Sequence, residues 1–431
     1  MEKYGEILVF AMPIFLLLVL LEALYGHLKG EQTVRNMDMI SSLSSGVTNA
    51  VKDVMQISVT IISYDWLLAH FAVFEIQSSV VLFCILFIVM DFQGYWVHRW
   101  SHKINIFWNK HAIHHSSEEF NLACALRQSV STFVNLFTFF LIPCAVLGIP
   151  TMMVAIVTPI HLFAQFWYHT RHINRMGFLE NILVTPSHHR VHHAMNIEYM
   201  DKNFAQIFII WDKMFGTFQE ELSSVVPVYG ITRPSETWNP LKINFQHLFL
   251  LISDAWRTES LWDKCRIWFM PTGWRPADVE AKYEVKKVEN VYEYVQYDTK
   301  ASPLLHVFAW FQLLCMFGLL FYFFGHLGLI NRLGHENIFW YGGFIILSIY
   351  SYCELIDRNS FALAWEITKN AIGLLWIYST SDWFGMNTML PFGKYLIASY
   401  FIISTLITAY FVFFDFSNDS KNEHLIEEKI C

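Results

Sequence analysis

Histidine is concentrated in one part of this chain of 431 residues. Twelve of its 19 histidines lie within residues 98–193, where an even distribution would place roughly four. Eight of the twelve form three clusters, two of them with the same HxxHH spacing: His98 and His102; His111, His114 and His115; His189, His192 and His193. On a helix, residues at i, i+3 and i+4 fall on one face. Each cluster can therefore present its imidazole rings side by side.

The number of imidazoles predicts a site for two metal ions. A single zinc ion takes four ligands, whereas these clusters suit two six-coordinate first-row ions with positions left open for oxygen or a substrate. Neutral imidazole binds iron, zinc, copper or nickel, so the ligand type alone does not choose the metal. The alternative is a set of surface or interface histidines, or a weak histidine-rich metal tract. The repeated HxxHH spacing argues against that alternative.

An acidic residue precedes the first cluster. Asp91 lies seven residues before His98 and eleven before His102, which returns to within about 20° of the same helical face. An acidic residue inside an apolar span is a functional candidate. Asp91 could accept the second N–H of a ligand histidine, which would fix its tautomer and raise its basicity. The alternative is a packing role, in which Asp91 bonds to a neighbouring span.

Three histidines outside the clusters have separate predicted roles. His169 lies where a hydrophobic segment ends and could supply a ninth ligand. His188 points about 100° away from its neighbour His189 on a helix, so we expect it to support a ligand histidine by hydrogen bonding. His161 lies in the middle of a hydrophobic segment, where we expect a neighbouring helix to satisfy it.

The composition indicates a protein whose solvent is largely lipid. Hydrophobic residues make up 55% of the chain and charged residues only 15%, against about a quarter charged in soluble proteins. The net charge is −8 and there is no long basic run. These values exclude an ordinary cytosolic enzyme, a disordered chain and a nucleic-acid binder. The seven cysteines contain no CxxC pair, so neither a disulfide framework nor a thiolate zinc site is predicted.

Apolar segments of about 20 residues predict membrane-spanning helices. Nine segments are candidates: Ile7–Leu28, Ala50–Phe74, Ser78–Val97, Val130–Gly148, Thr151–Tyr168, Pro303–Gly328, Ile338–Cys353, Ser360–Ile377 and Pro391–Phe414. Lys and Arg collect on the cytosolic side of short loops. Their positions here predict an outside N-terminus, with the histidine clusters and the acidic C-terminal tail on the cytosolic side.

We therefore expect an all-α, multi-pass transmembrane protein with a cytosolic helical cap that carries the histidine clusters. Three parts are predicted along the chain. Residues 1–74 form N-terminal transmembrane helices, residues 75–300 carry the metal centre, and residues 301–431 form C-terminal transmembrane helices and an acidic tail.

The clusters HRWSH, HAIHH and HRVHH, in this order around two hydrophobic hairpins, resemble the three histidine boxes of the fatty acid hydroxylase/sterol desaturase superfamily. The flanking sequence is also similar to that superfamily, in Ser116–Glu119, Thr185–Ser187, Asp201–Asn203 and Trp211–Thr217. Within it, the runs 121–129 (NLACALRQS) and 165–170 (QFWYHT) most resemble the family that cleaves glyceryl ethers with tetrahydrobiopterin. The similarity covers residues 60–260, approximately.

The resemblance implies a membrane-bound monooxygenase with two iron ions per chain, held by the eight clustered histidines with His169 as a further candidate. It implies tetrahydrobiopterin as the electron donor, molecular oxygen as co-substrate and an alkylglycerol (ether lipid) as substrate. Oxygen insertion at the carbon beside the ether oxygen would yield a hemiacetal, which breaks down to a fatty aldehyde and a glycerol product. The membrane would be the endoplasmic reticulum in a eukaryote or the inner membrane in a bacterium.

Two residues after the second cluster are candidates for selecting the reaction partner. Arg127 and Gln128 lie just before an apolar run, near the predicted cytosolic boundary. Their donors and acceptors suit the glycerol head or the pterin. The alternative for Arg127 is an interfacial anchor that extends to the lipid headgroups.

Two other functions remain open. A sterol or fatty acid hydroxylase/desaturase of the same superfamily, with a cytochrome-type electron donor, would use the same histidine boxes. A metal transporter is the second alternative, but transporters place their ligands near the bilayer midplane on interrupted helices. The second and third clusters lie outside the predicted spans, which disfavours transport.

Overall fold

The structure, a computed structural model, describes residues 2–135 and 137–416. Its α-helices are α1 Glu2–Lys29, α2 Asn36–Val54, α3 Tyr64–Phe71, α4 Val80–Lys103, α5 Asn105–His115, α6 Ile142–Val146, α7 Thr151–Phe163, α8 Pro186–His193, α9 Ile210–Phe215, α10 Pro240–Arg257, α11 Leu261–Arg266, α12 Ala277–Glu280, α13 Pro303–Gly325, α14 Leu327–Leu333, α15 Glu336–Ile356, α16 Ala362–Thr380 and α17 Gly393–Tyr410. Short 3₁₀ helices lie at Cys124–Leu126, Phe137–Leu141, Gly177–Asn181, Val291–Glu293 and Met386–Thr388, and a π-helical turn spans Phe411–Asp415. The all-α prediction is confirmed.

One small sheet interrupts the helices. Strand β1, Val59–Thr60, pairs in parallel with strand β2, Val134–Asn135, with Val59 opposite Val134. This pairing ties the chain after α2 to the segment that follows the second histidine cluster.

Five helices in the described part of the chain are long and apolar enough to cross a membrane. They are Gly5–Lys29, Val80–Lys103, Pro303–Gly325, Glu336–Ile356 and Gly393–Asp415. Each has at least 21 residues, which matches the thickness of a bilayer core. The predicted multi-pass membrane architecture is therefore confirmed.

Four of the nine predicted spans are not confirmed. Ala50–Phe74 is divided among the end of α2, β1 and the eight-residue α3. Val130–Gly148 and Thr151–Tyr168 contain the apolar helical stretches Phe137–Val146 and Thr151–Phe163, the longer of which has 13 residues. At 1.5 Å per residue that stretch reaches about 20 Å, short of the roughly 30 Å hydrocarbon core. The physical reason is that hydropathy reports apolar length without reporting where prolines, turns and strand pairing break the helix.

The fourth unconfirmed span, Ser360–Ile377, overlaps α16. This helix has 19 residues but contains a buried ion pair, in which Lys369 Nζ lies 2.7 Å from Glu366 Oε1. Ser351 and Asn370 also donate hydrogen bonds to the Glu366 carboxylate. The helix is packed between α15 and α17 and is less apolar than the five spans. The predicted acidic C-terminal tail lies mostly within residues 417–431, outside the described residues.

Helices α4 and α5 form the hairpin that positions the first two histidine clusters. Ile104, between them, has an extended backbone with φ −125° and ψ 125°, which ends α4 and reverses the chain. Asn105 fixes this turn, because its side-chain amide donates to the carbonyls of Ile267 and Trp274. The first cluster therefore lies on the last two turns of a candidate membrane span, and the second lies on the next helix, which is in contact with it.

Helix α2 connects the N-terminal part to both the metal region and the C-terminal helices. It packs against α13, α15 and the 3₁₀ turn Cys124–Leu126. A single hydrophobic core contains side chains of α1, α2 and the helices after residue 300, among them Val19, Val47, Leu313 and Ile345. Helix α2 thus connects the turn that follows the second histidine cluster to helices that are distant in sequence.

Candidate metal centre

The α4–α5 hairpin brings the first two clusters face to face. His98 Nε2 lies 2.8 Å from His111 Nε2, and His102 Nε2 lies 3.1 Å from His115 Nε2. Both pairs advance by four residues on each helix, from His98 to His102 on α4 and from His111 to His115 on α5. The spacing HxxxH on one helix therefore matches the outer positions of HxxHH on the other.

Helix α8 adds the third cluster from the opposite side. It begins with Pro186 in its first turn, where a proline needs no hydrogen-bond partner. Its His192 ring lies 4.3 Å from the His98 ring between centroids, and its His193 ring stacks on His115 at 4.3 Å. All eight residues of α8 are buried. Three separate elements thus meet at one buried place.

The histidines divide into two groups, within each of which the potential ligand atoms lie within 4.8 Å of one another. We call them the first group and the second group. The first group is His98, His102, His111, His115 and His192, and the second is His114, His169, His189 and His193. All eight clustered histidines and His169 are included.

The division runs through the clusters and not between them. On α5, His111 and His115 join the first group while His114 joins the second. The two groups are adjacent, because the ring of His115 in one stacks on the ring of His193 in the other. This arrangement provides two neighbouring groups of imidazole nitrogens, each of which could hold a metal ion.

His169 completes the second group from outside the three clusters. Its Nε2 lies 2.9 Å from His189 Nε2 and 3.5 Å from His114 Nε2. Its Nδ1 faces the carbonyl of Gln165 at 3.0 Å. His169 therefore lies within hydrogen-bond distance of two histidines of the second group.

In several of the rings, a backbone carbonyl determines which nitrogen faces inward. His98 Nδ1 lies 2.7 Å from the Phe204 carbonyl, and His192 Nδ1 lies 2.9 Å from the Lys202 carbonyl. His114 Nδ1 lies 3.3 Å from the Arg127 carbonyl. Because a carbonyl can only accept, these Nδ1 atoms carry the proton and the Nε2 lone pairs are left for a metal.

The electrostatics keep the imidazoles neutral. Burial, together with the neighbouring histidines, holds the pKa of His111, His115 and His193 well below the usual 6.5. Burial lowers the pKa of His114 to about 4. Metal ligation requires the neutral form of imidazole, so these rings are in the state that binds a metal at neutral pH.

Two nitrogens of these rings, His189 Nδ1 and His192 Nε2, are buried without a hydrogen-bond partner among the described residues, and the second indicates that the site fits a metal. His192 Nε2 is buried and has no hydrogen-bond partner among the described residues, while its Nδ1 proton is already donated to Lys202. A buried lone pair without a partner is costly, and a cation within the first group would satisfy it. The all-nitrogen donor set suits a first-row transition ion. The residues present therefore fit the iron ions implied by the resemblance.

Asp91 does not contact a clustered histidine, contrary to our prediction. It is fully buried and accepts hydrogen bonds from His161 Nε2 at 2.9 Å and from Trp211 Nε1 at 2.8 Å. It also accepts from the backbone N–H groups of Ile207 and Phe208. The alternative role is the one observed, because Asp91 bonds to a neighbouring helix and to the segment that carries the Phe204 carbonyl. His161, on α7, is in turn satisfied by Asp91 on the neighbouring helix α4, as expected.

Arg127 is also placed differently from both of our expectations. It is 2% exposed, and its guanidinium donates to Asp38 at 2.8 Å, to Ser42 at 2.9 Å and to Ser116 at 2.8 Å. It can therefore neither extend to the lipid headgroups nor offer a free donor to a reaction partner. Its partner Asp38 lies on α2, far away in sequence, which is why the prediction missed this contact.

Gln128, in contrast, lines a polar cavity of about 280 Å³ beside the first group. The wall of this cavity includes His98 and His111 and the side chains of Asn49, Lys110 and Gln206. Burial lowers the pKa of the Lys110 ammonium to about 8. Amide and ammonium groups thus face a space that ends at two of the histidines.

His188 lies outside both groups. Its ring contacts Phe218 edge-on at 5.5 Å between centroids, and its carbonyl accepts from the Asn203 side chain. Asn203 belongs to the turn that presents the carbonyls of Lys202 and Phe204. His188 therefore supports the centre through its backbone.

Two acidic residues that we did not predict support the centre. Asp212 is buried and accepts from the backbone N–H groups of Phe204 and Ala205 at 2.8 and 2.7 Å. Asp201 Oδ1 lies 3.6 Å from His102 Nδ1, and Asp201 also pairs with Lys103 at 2.6 Å. Both lie in the runs Asp201–Asn203 and Trp211–Thr217, whose resemblance to the superfamily was the available signal.

The chain is similar to characterised families over most of its length. A family model described as "Fatty acid hydroxylase" matches residues 83–217, which include all nine histidines of the two groups. Alkylglycerol monooxygenase from Homo sapiens is 34% identical over 380 residues, covering 88% of this chain and 84% of the relative. The same-named protein from Danio rerio is 33% identical over 92% of this chain and 87% of the relative.

A more distant relative has a different name. Ornithine lipid hydroxylase OlsE from Rhizobium tropici is 27% identical over 145 residues, covering 34% of this chain and 44% of the relative. No solved structure matches the chain.

Proposed function

We propose, from the fact that this chain belongs to the alkylglycerol monooxygenase family of fatty acid hydroxylase-type proteins, that it cleaves the ether bond of alkylglycerols. Family membership makes it an integral membrane monooxygenase that acts on a lipid. The ether cleavage, the iron ions and the tetrahydrobiopterin are the proposed part.

The observation that carries the proposal is the convergence of nine histidines, seven buried and two partly buried, in two adjacent groups. Nine imidazoles of this geometry support two metal ions with nitrogen ligands. When bound, two iron ions would supply the activation of molecular oxygen, with electrons from tetrahydrobiopterin. The first group would hold one ion and the second group the other.

The overall reaction balances with those reactants. One atom of oxygen enters the C–H bond of the alkyl carbon beside the ether oxygen, and the other leaves as water with two electrons and two protons from the reduced pterin. The product is a hemiacetal, which breaks its C–O bond to give a fatty aldehyde and a free glycerol hydroxyl.

The chain's own residues orient the centre and exclude water from it. The turn that contains Lys202 and Phe204 holds His192 and His98 by their Nδ1 protons, and Arg127 holds His114 in the same way. The polar cavity at Gln128 has the amide groups to bind a pterin, which needs both donors and acceptors. Gln128 therefore has the proposed role of selecting the pterin, and Arg127 has a structural role.

The position of the centre suits an amphiphilic substrate. His98 and His102 lie on the last turns of a candidate span, at the end where lysines and arginines predict the cytosolic side. We therefore propose that the centre faces the cytosol, in the endoplasmic reticulum of a eukaryote or the inner membrane of a bacterium. A polar head could then reach the histidines while the alkyl tail remains in the bilayer.

A turnover experiment tests this function. Purified protein in nanodiscs is incubated with a 1-O-alkylglycerol and oxygen, with and without tetrahydrobiopterin, and fatty aldehyde is measured. We expect aldehyde only when the pterin is present, and none from the His114→Ala protein. A hydroxylated lipid with its ether intact, or equal turnover with a cytochrome-type donor, would instead support the hydroxylase alternative.

A further inference from the structure

A lateral apolar groove lies between α1 and the segment that follows α7. Its volume is about 590 Å³. Leu18, Leu21 and Leu24 of α1 form one wall, and Leu122, Phe166 and Trp167 form the other. Since α1 is a candidate span and Leu21 and Leu24 are about half exposed, the groove opens sideways toward the region that lipid chains would occupy.

One end of the groove is polar. Glu22, Thr170 and His172 line it there. Glu22 is 7% exposed, and its Oε2 accepts from the backbone N–H of Leu122 at 2.6 Å. Its Oε1 is buried without a hydrogen-bond partner in the described part of the chain. A buried oxygen without a donor is costly, so this atom is suited to receive a donor from a ligand.

Among the described residues, no lysine or arginine lines the groove. Arg171, next to Thr170 in sequence, donates to the carboxylate of Glu119 at 2.6 Å and also acts electrostatically on Glu22 from outside the groove lining. His172 Nε2 lies 3.1 Å from the Thr33 hydroxyl. The polar end therefore offers an acceptor for a hydroxyl group, and its described lining contains no lysine or arginine that would pair directly with a phosphate.

The polar end of the groove is also next to the second group of histidines. Phe166 and Thr170, which line the groove, lie on either side of His169 in sequence. Leu122, which bonds to Glu22, follows Phe120 by two residues, and the Phe120 ring packs against His169 and His193 at 5.8 and 5.3 Å between centroids. A head bound at Glu22 would thus lie beside one of the two proposed metal sites.

We propose that this groove binds the alkyl chain of a lipid with an uncharged hydroxylated head, and that Glu22 accepts a hydrogen bond from that head. The apolar walls take a single chain, and the polar end selects a neutral head over a phosphorylated one, because a phosphate would be buried beside the Glu22 carboxyl group with no lysine or arginine among the described lining residues to pair with it. This inference rests on the proposed function, which it extends with a binding site and a selecting residue.

A photolabelling experiment locates the site without requiring turnover. The probe is a 1-O-alkylglycerol with a diazirine on its alkyl chain, added to the full-length protein in nanodiscs without the pterin and mapped by mass spectrometry. We expect labels on Leu18–Leu24 and on Phe166 or Trp167. We also expect unlabelled alkylglycerol to compete at least tenfold better than the same ether with a phosphate on its head. Labels confined to other helices, or equal competition by the two lipids, would overturn the proposal.

Substitutions at Glu22 test the selecting contact. Glu22→Leu removes the acceptor, and we expect groove labelling at a limiting probe concentration to fall about tenfold, as the loss of one hydrogen bond would produce. Glu22→Gln keeps an acceptor oxygen and should retain most of the labelling. The matched control is Glu6→Leu on the exposed part of the same helix, which should label as the unmodified protein does. Equal labelling of the Glu22→Leu and unmodified proteins would contradict the role of Glu22.

The outcomes separate this inference from the function on which it rests. Glu22-dependent labelling of the groove without any release of aldehyde would leave the binding site standing and refute the ether cleavage. Release of aldehyde with no label in the groove would refute the binding site alone.

Discussion

The imidazole of His98 and the backbone carbonyl of Phe204 are joined by a hydrogen bond of 2.7 Å. The carbonyl is held in turn by Asp212, which accepts from the N–H groups of Phe204 and Ala205 and from the Thr217 hydroxyl. This relay connects a buried carboxylate to the tautomer of a proposed metal ligand that it never touches.

The first prediction tests this relay. In the Asp212→Asn protein, a single amide oxygen remains to accept the three hydrogen bonds that the two carboxylate oxygens of Asp212 accept. The turn that holds His98 should therefore loosen. We expect iron affinity or turnover to fall by about 10–100-fold, the usual loss when the partner of a ligand histidine is removed. The measurement is iron content after dialysis at a series of free iron concentrations.

The matched control for Asp212 is Asp263→Asn. Asp263 pairs with Arg266 on the surface helix α11 and touches none of the nine histidines. The iron affinity of the Asp263→Asn protein should be unchanged. An Asp212→Asn protein that binds iron as tightly as this control would show that the relay does not matter.

The second prediction concerns the buried pair of Arg127 and Asp38. Each side chain is about 2% exposed, and they lie 2.8 Å apart. Arg127→Ala would leave a buried carboxylate without its partner, which costs about 3–5 kcal/mol. We expect a lower thermal unfolding temperature and less folded protein in the membrane. Adding Asp38→Asn to this variant should restore part of the loss.

Gln128 provides the contrast to Arg127. We expect Gln128→Ala to fold normally and to raise the KM for tetrahydrobiopterin while leaving kcat largely intact, because only a binding contact is lost. A stable Arg127→Ala protein with a raised pterin KM would instead return Arg127 to the selection role predicted from its sequence position.

The sequence predicted the histidines of the centre better than the elements around them. Spacing alone brings His111, His114 and His115 to one helical face, but it does not show that His114 serves a different group. That division depends on where α8 and His169 lie in space. Similarly, nothing in the sequence identifies Asp38 as the partner of Arg127.

The remaining contacts had no sequence signal at all, because backbone atoms make them. The carbonyls of Phe204, Lys202 and Gln165 orient three histidines, and every residue type has a carbonyl. Hydropathy overcounted the spans for a related reason. It measures how apolar a segment is, and the segment after Val130 is apolar although its helices are too short to cross the bilayer.

The third prediction is a pH dependence of stability that is independent of the metal centre. Burial, with a smaller effect of the nearby Arg233, lowers the pKa of His247 to about 4 from 6.5. The unfolded chain therefore takes up a proton at higher pH than the folded protein does. The neutral ring contributes its full stability above pH 6.5, and this is lost progressively as the pH falls from 6.5 toward 4.

Thermal unfolding at pH 7 and pH 5 measures this effect. His247→Gln removes the group, so its unfolding temperature should fall less between the two pH values than that of the unmodified protein. The control His335→Gln removes an exposed histidine and should show the full fall. Equal falls in all three proteins would contradict the assignment to His247.

The fourth prediction concerns the side of the membrane. Cys265 is an exposed free cysteine on α11, in the long polar segment with the third histidine cluster. We expect a membrane-impermeant maleimide to label it only from the cytosolic side, with the Cys265→Ser protein as control. Labelling of Cys265 in sealed vesicles from the opposite side would refute the proposed orientation.

The iron content of the purified protein tests the central claim most directly. Protein purified without oxygen and saturated with ferrous iron is analysed by mass spectrometry of the metal, with the chain quantified by amino-acid analysis. The two histidine groups predict two iron ions per chain. They also predict a lower content in both His98→Ala and His193→Ala, which remove a ligand from the first and the second group. One iron ion or fewer in the unmodified protein, or a content unchanged by either substitution, would contradict a two-iron centre built from these nine histidines.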